Sequence, residues 1–570
     1  MSGPGDGDRT VGDDEGPPHQ SRGRTPAERA GATPLDPERF QANAGMPMGQ
    51  REREILGKIP AEDQPVTPVV RRRVRGRESS RRFPRDTWSA RRAGGSRDAG
   101  GGRSILVAAV AVGAIALVAL VAALLAEDDV AVAVLSPPDL VATTPVLSAR
   151  RVPELVARPV AARNLSASVA PVLAQAPPDT CLQVRNGPNP LLSQRESDPL
   201  IPASNLKLVT AAAALDLLDP ASRLSTRVVT DGAPTDGRVV RGNLYLIGGG
   251  DPLLSTETYL AQLPNGRQPA TDLAELAERI AATGIRQVTG SVVGDDSRYD
   301  DVRTVASWPE RFITQGQVAP LSALLVNDTW SPGSGPGAEP AVHAAGVLTA
   351  LLEDRGVTVA GTPEAGVAPP DAAALTEIDS LPLAEIVDES LRFSDNTTVE
   401  LLVKEIGLQA AGTGSTEAGL TAIREWLAVS GLPADGVVIA DGSGLSEENR
   451  LNCAVLASLL ERDGPDGVIA AGLARPGEDG TLDDKLLDED LRGRVRAKTG
   501  TLRPVTALSG WLRTVPEADL GFSLLITRPG GQVTAADTAL QADLLQAMLG
   551  YPQTPDPAQL APLAPSAPER

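Results

Sequence analysis

Lys58, Lys207, Lys404, Lys485 and Lys498 are the five lysines among the 53 basic residues of this 570-residue chain; the other 48 are arginines. Where arginine carries nearly all the positive charge, a retained lysine points to a task that a guanidinium cannot perform, and accepting a proton is one. Two of the five fall in short polar motifs. Pro202-Ala203-Ser204-Asn205-Leu206-Lys207 opens an apolar Ala/Leu segment. On a helix, residues i and i+3 share a face, so Ser204 Oγ and the Lys207 amine would stand side by side. A buried lysine can lose its proton and act as a base toward a hydroxyl. The helix N-terminus would add free N–H groups and a positive field at that hydroxyl. Lys498-Thr499-Gly500-Thr501 ends a strand-like run. There the lysine supplies a fixed charge, the glycine lets another backbone approach, and the threonine hydroxyls can hold a carboxylate. A third motif, Ser394-Asp395-Asn396, lies in a polar break between two helix-like segments. Each motif alone has a plain structural reading: a capping Ser with an exposed Lys, local caps in a turn, a Lys at a strand end.

The elements that must position these residues are mixed. Strands are expected at 181–185, 242–247, 287–294, 495–500, 506–514 and 522–527, with a tight turn at Arg503-Pro504. Helices are expected at 205–218, 271–282, 342–355, 383–391, 397–407 and 535–549. Thr271 is placed as an N-cap, and Gly284 and Gly356 as closing residues. Strands paired near the C-terminus, with helices before and after, give an α+β fold: an antiparallel sheet covered by helices.

Composition narrows the chemistry. Two histidines, His19 and His343, leave almost no material for a Ser–His–Asp triad or a His-based metal site. Two cysteines, Cys181 and Cys453, exclude a Cys-rich zinc module. Residues 1–103 carry 20 basic against 15 acidic side chains and no sustained apolar period, which reads as a disordered arm. Residues 105–126 carry no charge and are long enough to span a bilayer as one helix. A signal peptide is the competing reading, but it would not normally follow so long an arm. The arginine run at 71–103 and Glu127-Asp128-Asp129 put the N-terminus in the cytoplasm and the C-terminal bulk outside. The organisation expected is a cytoplasmic arm (1–103), a transmembrane helix (104–126), an Ala/Pro-rich stalk (127–175), a structured part and a disordered tail (552–570). With the whole chain at −20 and the basic excess confined to the arm, the external part is no nucleic-acid binder.

In this order the three motifs form the Ser-x-x-Lys, Ser-x-Asn and Lys-Thr-Gly set of penicillin-binding proteins and serine β-lactamases. The chain resembles the D-alanyl-D-alanine carboxypeptidase/endopeptidase class of low-molecular-mass class C penicillin-binding proteins, peptidase family S13. Four more stretches support this: 242–252 with Gly248-Gly249-Gly250-Asp251-Pro252, 290–296, 321–328 (LSALLVND) and 441–449 (DGSGLSEEN). The resemblance implies a penicillin-binding-protein/serine β-lactamase-like catalytic domain in two parts, 176–224 and 361–551, split by an inserted domain at 225–360. It implies no cofactor and no metal. Ser204 would be the acylated nucleophile, Lys207 its base, and Ser394 and Asn396 the proton relay and substrate-positioning groups. Lys498 would support the electrostatics. Thr499, Gly500 and Thr501 would line the carboxylate site, with the N–H groups of Ser204 and Thr501 as oxyanion hole.

The implied substrates are peptidoglycan stem peptides, and the implied inhibitors are β-lactams. A β-lactamase and a non-catalytic membrane-anchored peptidoglycan or β-lactam sensor are the competing functions. Family members often carry Arg after the Gly-Leu-Ser of the DGSGLS stretch; here Glu447 stands there. With Leu502 beside the aliphatic part of the substrate side chain, Glu447 would favour an ammonium-bearing, carboxylate-masked one; the alternative is a Glu447 that points to solvent and takes no part. Cys181 and Cys453, both in the exported part, are a candidate disulfide, with two buried thiols as the alternative.

Overall fold

The computed structural model describes residues 153–553, apart from 233, 236, 264–268, 333–334 and 338. The arm, the uncharged run at 105–126 and nearly all of the tail lie outside the described residues. Among the described residues, no helix is long and apolar enough to cross a membrane.

The described residues begin with helix α1 (Pro153–Leu173), strands β1 (Asp179–Arg185) and β2 (Pro190–Gln194), and helix α2 (Leu206–Leu217). It continues through β3 (Ser225–Thr230), β4 (Leu244–Ile247), α3 (Leu273–Ala282), β5 (Val292–Asp295), α4 (Pro340–Asp354), β6 (Glu364–Ala365) and β7 (Ala373–Asp379). Helices α5 (Leu383–Arg392), α6 (Asn396–Ala411), α7 (Thr416–Val429) and α8 (Cys453–Asp463) follow. The chain then forms β8 (Val495–Leu502), β9 (Val505–Arg513), β10 (Asp519–Thr527) and α9 (Ala535–Met548).

The first sheet has the order β8-β9-β10-β1-β2 and is antiparallel throughout. Side chains alternate across a strand, and here both faces are buried. Leu508, Leu512, Leu520, Phe522, Leu524 and Ile526 face α1 and α9. Val505, Ala507, Trp511 and Leu525 face the helical layer built on α2, α5, α7 and α8. The sheet is therefore the middle of three layers, and with so few aromatic residues its packing rests on Leu, Val, Ile and Ala. Cys181 on β1 and Cys453 at the start of α8 are disulfide-bonded, which fixes that helix to the sheet.

A second sheet, β6-β5-β4-β3-β7, is mixed: β5 runs parallel to β4 and β6, while β3 is antiparallel to β4 and β7. Its core joins Val228, Leu246 and Val292 to Leu276 and Ile280 of α3 and Leu348 of α4. Strand β7 lies past the expected boundary at 360, yet pairs with β3 so that Asp379 stands opposite Ser225. The chain thus enters and leaves this sheet side by side.

Several local expectations are corrected. The stalk reading fails from residue 153 onward, where α1 buries Ala161, Leu165, Val169 and Leu173 against the first sheet. These four recur every fourth residue and so lie along one face, in spite of Pro159 and Pro171. The N-cap of α3 is Asp272, whose Oδ1 accepts from Ala274 N at 2.8 Å. Thr271 instead pairs with Leu254 in a short parallel bridge. Helix α6 does not stop at Gly407. It runs on to Ala411 and is closed by Gly412 in the left-handed region, while Gly407 lets the 413–419 backbone pass against it.

Candidate active site

Ser204 lies in a single 3-10 turn, Ala203–Asn205, directly ahead of α2. The turn is sharp: Ala203 has φ of +46° although it is not glycine, which stores strain of the sort found at functional sites. Every residue from Leu206 to Ala214 is buried, Lys207 included. An ammonium-bearing chain in so apolar a helix must find polar partners. Lys207 Nζ lies 3.1 Å from Ser204 Oγ, 2.6 Å from Asn396 Oδ1 and 2.7 Å from the Ser443 carbonyl oxygen. Two of these are carbonyl oxygens, which only accept, whereas the serine hydroxyl can donate. The amine can therefore give N–H bonds to the carbonyls and turn its lone pair to the Ser204 hydroxyl.

The Ser394 motif supplies the opposite wall. Ser394 adopts φ of +61° between α5 and α6. Asp395 Oδ1 accepts from Thr398 N at 2.9 Å and caps α6. That cap starts the helix at Asn396, whose Oδ1 reaches Lys207 while Nδ2 donates to the Gln317 carbonyl at 2.7 Å. The amide orientation is thus set from both ends. Lys498, fully buried on β8, donates to Ser394 Oγ at 2.8 Å and to the Thr499 carbonyl at 2.9 Å. Two buried lysines therefore flank three half-buried side chains, Ser204, Ser394 and Asn396, that reach the surface.

Strand β8 is the sheet edge nearest the nucleophile. A Cβ at Gly500 would come within 2.9 Å of Asn205 Nδ2 and 3.1 Å of Ser204 N. Glycine is what allows the strand to lie against the nucleophile turn. Ala497 N points off this edge to the Ala474 carbonyl at 3.0 Å, so by the alternation of an antiparallel strand the Thr501 N–H faces the same way. Thr499 is buried, and its hydroxyl bonds Thr481 Oγ1 at 2.8 Å. Thr501 and Leu502 are half-buried.

Behind Lys207 lies the 441–449 stretch. Gly444, at φ of +85°, passes so close that a Cβ there would meet the Ala203 carbonyl oxygen. Glu447 is exposed. A positive group stands close to its backbone: Arg450 Nη1 donates to the Glu447 carbonyl at 2.6 Å and to the Asn449 carbonyl at 2.7 Å.

Groups that sequence reasoning did not single out complete the surroundings: Gln317, Ser443, Thr481, Glu400 and a group of acids. Loss of water, then the Asp395 charge, pushes the Asp328 carboxyl up to about 7. Loss of water, then the charges of Asp395 and Asp328, raises Glu389 well above the carboxylate range. Asp395 is itself raised, chiefly by loss of water. The scarcity of lysine and the motif spacing flagged the two lysines, but no spacing flags the gathering of Asp328, Glu389 and Asp395 from three parts of the chain.

An antiparallel sheet between helical layers, with these three motifs at one edge, is the penicillin-binding-protein and serine β-lactamase class of fold. The chain belongs to the D-Ala-D-Ala carboxypeptidase 3 (S13) family, whose model matches residues 166–333 and 336–548. It is a serine-type peptidase by that membership. A D-alanyl-D-alanine carboxypeptidase of Actinomadura sp. (strain R39) is 30% identical over 452 residues, covering 65% of this chain and 81% of its own. A carboxypeptidase of Mycobacterium tuberculosis is 30% identical over 373 residues, 62% of this chain and 77% of the relative. The crystal structure of penicillin binding protein 4 from Haemophilus influenzae superposes with a TM-score of 0.57 at 19% identity, over 67% of this chain and 99% of that one.

Proposed function

We propose that this protein removes the terminal D-Ala of peptidoglycan stem peptides, or opens D-Ala–diaminopimelate cross-links, through an acyl-enzyme on Ser204, and that penicillins acylate the same atom. One observation carries the reading: the Lys207 amine lies 3.1 Å from Ser204 Oγ with two carbonyl acceptors fixing its other side. Lys207 takes the Ser204 proton as Oγ attacks the penultimate D-Ala carbonyl. The N–H groups of Ser204 and Thr501 receive the oxyanion. Ser394, held by Lys498, hands its proton to the leaving amine and takes up in turn the proton that Lys207 removed from Ser204, so that the Lys207 amine is neutral again. Water then attacks the ester, Lys207 taking its proton and returning it to Ser204 Oγ as the ester bond breaks. Asn396 positions the substrate amide, and Thr501, with Thr499 behind it, meets the terminal carboxylate. Purified protein mixed with muropeptides should release D-Ala. Hydrolysis of nitrocefin at rapid turnover without D-Ala release would favour a β-lactamase, and acylation with no peptide turnover a sensor.

The segment 225–379 is read as an insertion into the catalytic domain, supported by the pairing of Ser225 with Asp379 at its two ends. The chain is placed as a single-pass membrane protein with the catalytic part outside, supported by the uncharged run and its arginine flank. A reporter that is active only after export, fused after Gly550, should be active. Activity of a cytoplasm-only reporter there would refute this topology.

Glu447 is read as a selector for a carboxylate-masked side chain such as amidated diaminopimelate. Its exposure next to the nucleophile-wrapping loop supports a role at the rim. Arg450, bonded to the Glu447 carbonyl, tempers the repulsion. The expected preference for the amidated peptide is therefore small, about two- to fivefold in kcat/KM, the range of one exposed charge contact. Glu447→Arg should reverse it; equal ratios in both proteins would leave Glu447 with no part in specificity.

A further inference from the structure

Two acids lie buried behind Lys207, Glu400 on α6 and Asp441 at the head of the 441–449 stretch. Their hydrogen bonds are unequal. Asp441 receives N–H donors on both oxygens: Gly444 N and Asn449 Nδ2 on Oδ1, Ser446 N and Trp308 Nε1 on Oδ2. Glu400 receives Gly442 N at 3.0 Å and Ser443 N at 2.7 Å, both on Oε1, while its buried Oε2 receives no N–H, the Ser443 side chain being a further polar neighbour of the carboxyl. A carboxylate with four N–H donors is well satisfied as an anion, whereas a second anion beside it with one oxygen that no N–H reaches is less so. One proton shared by the two belongs on Glu400 Oε2.

The backbone held by Glu400 is the backbone that meets the base. Ser443 N donates to Glu400 Oε1, and the Ser443 carbonyl accepts from Lys207 Nζ at 2.7 Å. The Gly442 carbonyl is held in turn by Thr210 Oγ1 at 2.8 Å, one turn along α2 from Lys207. We propose that Glu400 is a positioning residue for Lys207: it works as a neutral carboxylic acid, anchoring the 442–443 backbone against the amine without setting a second negative charge beside it. Burial, with the Asp441 charge next, pushes the Glu400 carboxyl up to about 8, in the same direction. The charged groups facing it are Asp441 and Lys207, and Lys207 also faces Asp395.

The inference rests on the reading of Lys207 as base to Ser204. It is tested by the rate of penicillin acylation against pH in wild type, Glu400→Gln and Glu400→Ala, with the adduct located by mass spectrometry. Glutamine keeps the acceptor oxygen and the neutrality. Glu400→Gln should acylate within about threefold of wild type, and the acid limb of its pH profile should superpose on the wild-type limb, since the amine sees the same charge. Glu400→Ala drops both N–H bonds and should slow acylation by about tenfold or more, the cost of the hydrogen bonds lost. A Glu400→Gln limb shifted to lower pH would show that Glu400 is an anion pairing with Lys207 and would overturn the proposal. So would a Glu400→Ala protein as fast as wild type, and so would a Glu400→Gln protein as slow as Glu400→Ala. Wild-type acylation is the control that separates the two claims: if wild type acylates at Ser204 and the variants behave otherwise, only the Glu400 proposal fails. Absence of the wild-type adduct would remove the Ser204 reading itself.

Discussion

Lys207→Arg should lose nearly all acylation although it keeps a long basic side chain. Its position leaves no room for compromise. The side chain is fully buried, and its partners lie on three separate segments: Ser204 Oγ, Asn396 Oδ1 and the Ser443 carbonyl. A guanidinium has donors only and stays protonated in proteins, so it can bond the carbonyls but cannot take the Ser204 proton. Loss of a positioned general base costs about 10²–10⁴-fold in rate, and the larger planar head also crowds a closed site. Stopped-flow or time-course labelling with a reporter penicillin reads this directly. The folded state is checked by the melting transition, because overpacking at a buried position costs about 1–3 kcal/mol. A Lys207→Arg protein that folds and acylates at the wild-type rate would exclude proton transfer to this amine.

Gly500→Val should fold and fail. Gly500 has ordinary extended backbone in β8, where valine is at ease. The obstacle is its neighbour: a Cβ would stand 3.1 Å from Ser204 N and 2.9 Å from Asn205 Nδ2. The added methyls must push the edge strand from the nucleophile turn. That separates the N–H groups of Ser204 and Thr501, which must converge on one oxyanion. Displacing one such donor costs about 10²–10³-fold. Acylation and peptide hydrolysis should fall together by that amount. Undiminished acylation in Gly500→Val would show that the strand and turn need not touch.

What could be read in the sequence divides along the distance between cooperating residues. Ser204 with Lys207, and Ser394 with Asn396, are local pairs whose spacing places them on one helix face or in one turn, and there spacing translates into geometry. The first sheet was legible for the same reason: β8, β9 and β10 are successive, and Arg503-Pro504 marks the turn between the first two. Helix α1 carried its buried stripe in plain view at 161, 165, 169 and 173, but two prolines and an Ala-rich background made it read as a stalk. Glu400 and Asp441 are 41 positions apart and meet only because α6 packs against the 441–449 stretch. Likewise Gln317 reaches Asn396 across 79 positions through a backbone carbonyl, and a backbone atom leaves no trace in residue type. Thr481, which holds Thr499, lies in a 3-10 turn with no periodic pattern to flag it. Strand β7 was missed because its burial is slight, with only Ile378 buried along its length.

The central claim is that Ser204 is acylated with Lys207 as its base. The most direct measurement is to incubate the wild-type protein and Ser204→Ala with benzylpenicillin, digest both, and map the mass increment to a residue. The wild type should carry one penicilloyl group on the peptide containing Ser204, and Ser204→Ala none anywhere. An adduct on another residue, or an unchanged adduct in Ser204→Ala, would contradict the account.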